Sequence, residues 1–184
     1  MLDDVQPDLR LLLNCESLDI DVREEWSAQT SNHRGLIRQA LGARYGEDFS
    51  ALDVRPKPKS ENVSISHCRS LGGFACCANH FSIGFDVEEL ARVREQVIVR
   101  VSTVAERREA PSLGALWTAK EAAFKALSDH LELISDVVIT GWKVRDSIST
   151  FKVSNPQTTR EDGQGVVFTQ GSILFALFLK PHAD

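Results

Sequence analysis

Long hydrophobic runs are missing from this chain. No apolar stretch approaches the roughly 20 residues that span a bilayer, so neither a membrane-spanning helix nor a membrane partner is expected. A basic start is missing too: Met1-Leu2-Asp3-Asp4 is acidic where a secretory signal would carry positive charge, and a cytoplasmic location is expected. Positive charge is scarce overall, with 21 Lys and Arg against 26 Asp and Glu, a net charge of −5 and a pI near 5.6. Coating a nucleic acid rests on neutralising phosphates with Lys and Arg, so no nucleic-acid partner is expected. Cysteine is sparse and lacks the paired C-x-x-C spacing; Cys76 and Cys77 are adjacent and would face opposite sides of a strand, which with Cys15 and Cys68 suits reduced, buried thiols. Neither a low-complexity segment nor a repeat of solenoid period is present, only a coarse echo in which each half offers helix and strands.

What is present suits a folded, water-soluble protein. The 184 residues are 42% apolar and 26% charged, enough for one ordinary domain or two small, closely joined halves with a real core. Near the start, Leu9 to Leu13 is an apolar run of strand length, and Ser17 to Trp26 reads as the start of a helix. From Thr30 or Ser31 a helix is predicted to about Tyr45, with Leu36, Ile37, Ala40 and Leu41 at helical spacing and His33, Arg34 and Arg38 decorating it. Arg55-Pro56-Lys57-Pro58-Lys59-Ser60 follows as a stiff basic connector. Val63 to Cys68 alternates apolar and small polar residues as a half-buried strand does, Leu71 to Ala78 reads as another strand, and Phe81 to Glu88 alternates again. Residues 89 to 112 read as one or two helices. Past residue 130, Val137 to Val144, Ile148 to Val153, Gly165 to Thr169 and Ile173 to Leu179 read as strands joined too closely for helical crossovers, hence antiparallel.

Two stretches carry the chemistry. On the strand from Phe81 to Glu88, a period of two puts Phe81, Ile83, Phe85 and Val87 on one side and Ser82, Gly84, Asp86 and Glu88 on the other. Asp86 and Glu88 are therefore neighbouring like charges that ask for a cation, and Gly84 is expected to leave open space beside Asp86 for a ligand. Further along comes the helix Leu116 to Leu127, which puts Glu121 thirty-three residues after Glu88; it is entered through Pro111-Ser112 and free of Gly and Pro. Leu113, Leu116, Ala123, Phe124 and Leu127 form its apolar face, Lys120 projects within that face, and Glu121 and Lys125 sit on its border. By itself this also suits a solvated Glu–Lys pair with a lysine stem lying over the core. Beside the strand, Asp86, Glu88 and Glu121 make three hard oxygen donors suited to magnesium, and Lys120 and Lys125 suit phosphate oxyanions. Histidine is absent from both stretches, which argues against zinc.

Ile83-Gly84-Phe85-Asp86-Val87-Glu88 followed by Trp117-Thr118-Ala119-Lys120-Glu121-Ala122-Ala123-Phe124-Lys125 resembles the two signature motifs of the 4′-phosphopantetheinyl transferases, in their order and at their separation. Ser66-His67-Cys68 resembles the family's Ser-His-Ser strand end, Lys57-Pro58 its Lys-Pro, and His33-Arg34 sits where the family tends to have an arginine. The resemblance implies transfer of the phosphopantetheine arm of coenzyme A to a serine of an acyl or peptidyl carrier protein, releasing adenosine 3′,5′-bisphosphate. It implies that Asp86, Glu88 and Glu121 bind magnesium together with the pyrophosphate. Glu121 would also take the serine proton, directly or through a metal-bound water. Lys125 would serve the leaving phosphate and Lys120 the pyrophosphate, while Ser66, His67, Arg34 and Lys57 would bind the nucleotide end. Trp117 is expected in the core. Since Asp86 follows enough chain for a first half, the longer, pseudo-dimeric (Sfp-like) type is favoured over the short trimeric one. Cys68 stands where the family has Ser, and Glu89 offers a carboxylate at the Asp+3 spacing of the short type, so both Glu88 and Glu89 stand as the second carboxylate.

The expected fold is α+β: two similar halves, residues 1–80 and 81–184, each a small antiparallel sheet with a packed helix, forming one monomeric unit with coenzyme A in the cleft between them. Two rivals differ in kind. A metal-dependent nuclease would use similar carboxylates but prefers a strand-borne Glu-x-Lys and a basic groove, neither of which is here. A non-catalytic module of the same fold would bind coenzyme A or the carrier protein without turnover.

Overall fold

Pro7 opens the first turn of helix α1, Gln6–Leu12, where the N–H that proline lacks would have had no helical partner. Leu9 and Leu13 are buried while Leu11 is 81% exposed, a helical spacing that the bare apolar run concealed. The next segment reverses expectation in the other direction. Asp19-Ile20-Asp21-Val22-Arg23 forms strand β1, Asp19–Arg23, because its β-branched Ile20 and Val22 alternate inward with charged residues between them. The structure, a computed structural model, describes residues 2–50, 52, 62–78, 80–127, 131–154 and 161–182. Helix α2, His33–Tyr45, then strands β2, Val63–His67, and β3, Gly72–Cys76, complete the first half. Its antiparallel sheet has the order β1-β3-β2, and α2 covers the face bearing Phe74 by burying Ile37 and Leu41 beside Trp26.

The second half begins with β4, Phe81–Glu89. The stretch after it folds as two short helices, α3 Glu95–Val101 and α4 Val104–Glu109, followed by helix α5, Leu113–Leu127, whose first turn is capped by Ser112 Oγ accepting from the Ala115 N–H at 3.1 Å. Strands β5 Val138–Arg145, β6 Ile148–Ser154, β7 Glu161–Gln170 and β8 Ile173–Pro181 close a five-stranded antiparallel sheet of order β4-β8-β7-β6-β5. These are the four strands read from the sequence.

No residue of α5 is exposed. Its Leu116, Ala119, Ala122 and Ala123 pack on the face of the five-stranded sheet that presents Ala176 and Phe178, and small alanines let the helix come close. Gly84 is part of that fit rather than an opening for a ligand. A side chain there would collide with the carbonyl oxygen of Ala122 and stand 3.0 Å from the Ala126 nitrogen. The opposite face of the same sheet, with Ile83, Phe85 and Val87, shares a core with α1 and with Ile20, Val22 and Ala75 of the three-stranded sheet.

The halves meet along β2 and β4, and the seam uses side chains. β4 is an edge strand whose free N–H groups would be orphaned in a buried place. Ser64 Oγ accepts from the Phe85 N–H at 2.9 Å and Ser66 Oγ from the Val87 N–H at 3.2 Å. The alternation of β2 makes this possible: Val63 and Ile65 turn toward α2, and both buried serines turn toward β4.

Candidate active site

A cleft of about 280 Å³ opens at this seam. From the second half, β4 supplies Asp86 and Glu88, and α5 supplies Trp117, Glu121 and Lys125, which lie one turn apart on one helix stripe. From the first half, β2 supplies Ser66 and His67, and α2 supplies Arg34. Trp117 also packs against the core under α5, so it serves both the interior and the cleft.

Lys125 is the electrostatic centre. Its ammonium lies 2.7 Å from Asp86 Oδ1 and 3.0 Å from both Ser66 Oγ and the Phe85 carbonyl. The Ser66 hydroxyl donates to Asp86 Oδ1 at 3.0 Å, so one buried serine joins the seam, the carboxylate and the lysine. Burial pushes the Glu121 carboxyl above the ordinary carboxylate range, and the charges of Asp86 and Glu88 push the same way, while Lys125 only partly offsets them. Glu88 Oε1 accepts from the Glu89 N–H at 3.0 Å. Of these two neighbours, only Glu88 lines the cleft.

The raised Glu121 carboxyl has a thermodynamic consequence. A carboxyl whose pKa is higher folded than unfolded adds stability below its unfolded pKa of about 4.3, and that contribution is lost as pH rises through the folded value. In EDTA, Glu121→Gln is therefore expected to melt above the wild type at neutral pH, with the difference shrinking toward about pH 4. A Tm difference that stays flat, or grows as the solution is acidified, would contradict the crowding of negative charge described here.

Other expected site residues land differently. His67 stacks obliquely on His33, ring centroids 4.2 Å apart, and His33 Nδ1 bonds the Thr30 carbonyl at 3.2 Å, which places a second imidazole beside the cleft. Lys57 lies outside the described residues. Lys120 does not reach the cleft: it is fully buried, with Nζ 2.7 Å from Glu106 Oε1, and also donates to the Val137 carbonyl. Its place within the apolar face of α5 means the interior, where a lysine needs an acid, rather than a gap for phosphate. Residue type alone does not mark Glu106 as a partner for Lys120, although Thr103-x-x-Glu106 before a helix is a capping-box signal, and the box is formed. Burial alone would raise the Glu106 carboxyl, but the Lys120 ammonium and the N–H groups of Thr103 and Ile139 outweigh it and hold it below the usual range.

Among the described residues, no three His, Cys, Asp or Glu side chains converge as they stand to hold a metal ion. The donor chemistry of Asp86, Glu88 and Glu121 nevertheless suits a hard divalent cation, and the upward push on Glu121 is an excess of negative charge that such an ion would relieve. Residues 82–162 match the 4′-phosphopantetheinyl transferase superfamily. The matched segment contains Asp86, Glu88, Glu121 and Lys125, and also the buried Glu106–Lys120 pair; Arg34, Ser66 and His67 lie outside it. The match supports a transferase that moves phosphopantetheine. Among curated proteins the chain has no match. No helix among the described residues is long and apolar enough to cross a membrane.

Proposed function

We propose that this chain transfers the 4′-phosphopantetheine arm of coenzyme A to a serine hydroxyl of an acyl or peptidyl carrier protein and releases adenosine 3′,5′-bisphosphate. The observation that carries the reading is the meeting, within the matched segment, of two β4 carboxylates with Glu121 and Lys125 of α5 in one cleft, faced by His67 and Arg34 from the other half. In this reaction the serine oxygen attacks the phosphorus next to the pantetheine arm, and the bond to the bridging oxygen of the pyrophosphate breaks with its electron pair leaving on the nucleotide. Glu121 takes the serine proton, as a carboxylate lining the cleft beside the attacking hydroxyl can. Lys125 moves its ammonium from Asp86 toward the leaving phosphate and offsets the charge developing there. Arg34 and His67, with Lys57, hold the nucleotide end, and Ser66 keeps Asp86 and Lys125 aligned. Magnesium, held by Asp86, Glu88 and Glu121, would supply charge neutralisation of the pyrophosphate. The reaction is cytoplasmic and the working unit is a single chain of the pseudo-dimeric type.

The test is incubation with coenzyme A, magnesium and several apo carrier proteins, with the carrier read by mass. A phosphopantetheine adduct on the carrier serine is expected. Absence of an adduct on every carrier rejects the reading, and tight coenzyme A binding without an adduct would favour the non-catalytic module instead.

A further inference from the structure

The buried ion pair stands one residue away from the cleft wall. Glu106, 2% exposed, receives Lys120 Nζ at 2.7 Å and the Ile139 N–H at 3.0 Å on Oε1, and the Thr103 N–H at 2.8 Å on Oε2. One carboxylate thus ties together the start of α4, the start of β5 and the middle of α5. Consecutive helix residues point about 100° apart, so the setting that aims Lys120 at Glu106 turns Glu121 into the cleft. Trp117 and Lys125, one turn either side of Glu121, follow the same rotation.

Apolar packing on α5 narrows that rotation: Leu116 and Leu127 anchor the two ends of its buried face. Between them the surface is Ala119, Ala122 and Ala123, short side chains that interlock weakly with what they cover and leave the finer setting to the ion pair. A buried ion pair is a poor source of net stability because desolvation consumes most of the Coulomb gain. It is a strong source of direction, since any other helix setting strands two charges in apolar surroundings. We propose that Lys120 and Glu106 are positioning residues that hold α5 in the one rotational setting that presents Glu121 and Lys125 to the cleft. The functional half of this inference rests on the transferase reading of that cleft.

Glu106→Gln with Lys120→Met removes both charges and keeps an acceptor for the Ile139 N–H. Three measurements are made on the wild type and the double variant: thermal melting, 19F spectra of protein labelled with 5-fluorotryptophan, and kcat and KM for coenzyme A with an apo carrier. Trp117→Phe assigns the Trp117 resonance, and Trp26 in the other half is the internal reference. The double variant is expected to fold with Trp26 unmoved, the Trp117 resonance shifted or broadened, kcat down about 30-fold and KM for coenzyme A within about two-fold. A folded double variant with the wild-type Trp117 resonance and kcat overturns the proposal. So does a KM for coenzyme A raised about ten-fold or more with kcat kept, the signature of a lost phosphate contact. Should the double variant unfold, Glu106→Asp, which keeps both charges and shortens the tether, is measured in the same three ways, and the same results support or overturn the proposal. A wild type that transfers nothing rejects the transferase reading alone, and the Trp117 resonance still decides the registration.

Discussion

Asp86→Ala is expected to lower phosphopantetheinyl transfer about a thousand-fold while the protein stays folded. The loss follows from where the carboxylate stands: it is 6% exposed, accepts from Lys125 and Ser66, and shares the cleft with Glu88 and Glu121. Removing it takes away one of the proposed magnesium donors and the group that orients Lys125. Folding survives because Asp86 sits opposite Ala176 in the β4–β8 ladder, where a methyl group fits, and Lys125 keeps Ser66 Oγ and the Phe85 carbonyl as acceptors. Initial rates with saturating coenzyme A, beside a thermal melt of each protein, check both halves of the statement. Transfer retained at a tenth of wild type or better would refute the assignment of Asp86 to the reacting centre.

Gly84→Ala is expected to cost about 3 kcal/mol of stability. The added methyl group meets backbone rather than a flexible side chain, namely the Ala122 carbonyl and the Ala126 nitrogen, so α5 itself must move away from β4. Such a shift also displaces Glu121 and Lys125, the neighbours of those two contacts in the helix. Urea unfolding followed by far-UV dichroism gives the stability change, and transfer rates measured well below the midpoint give the functional one. An alanine variant as stable as the wild type would mean that α5 does not approach β4 as closely as described. Both variants bear on one strand, but they separate its jobs: Asp86 faces the cleft and Gly84 sets the distance to the helix.

Much of this architecture is legible in the residues. Strands β2 to β8 and helices α2 and α5 follow from apolar content, period and the turn residues between them, signals that are carried by residues near one another in the chain. The first 26 residues are not legible in the same way. Leu9 to Leu13 is too short for its period to be read without knowing which leucines are buried, and the charges of β1 hide its alternation. In the site, Asp86, Glu88, Glu121 and Lys125 could be named from residue type and spacing, since a strand places alternate carboxylates together and a helix places residues four apart on one stripe.

The sequence by itself determined strands β2 to β8, helices α2 and α5, and the acid and base groups offered on β4 and α5, because those depend on residue type and periodicity local in the chain. Only the tertiary structure decided which partner each charge meets. Lys120 and Lys125 are both lysines on the same helix near the same acids; one is buried against Glu106 of α4 and the other opens on Asp86 of β4. The difference is the rotation of α5 against the sheet and its neighbours, set by packing among residues distant in sequence. The same packing turned Gly84 from an expected opening into a contact, and made Ser66 the link between the halves and the Asp86–Lys125 pair.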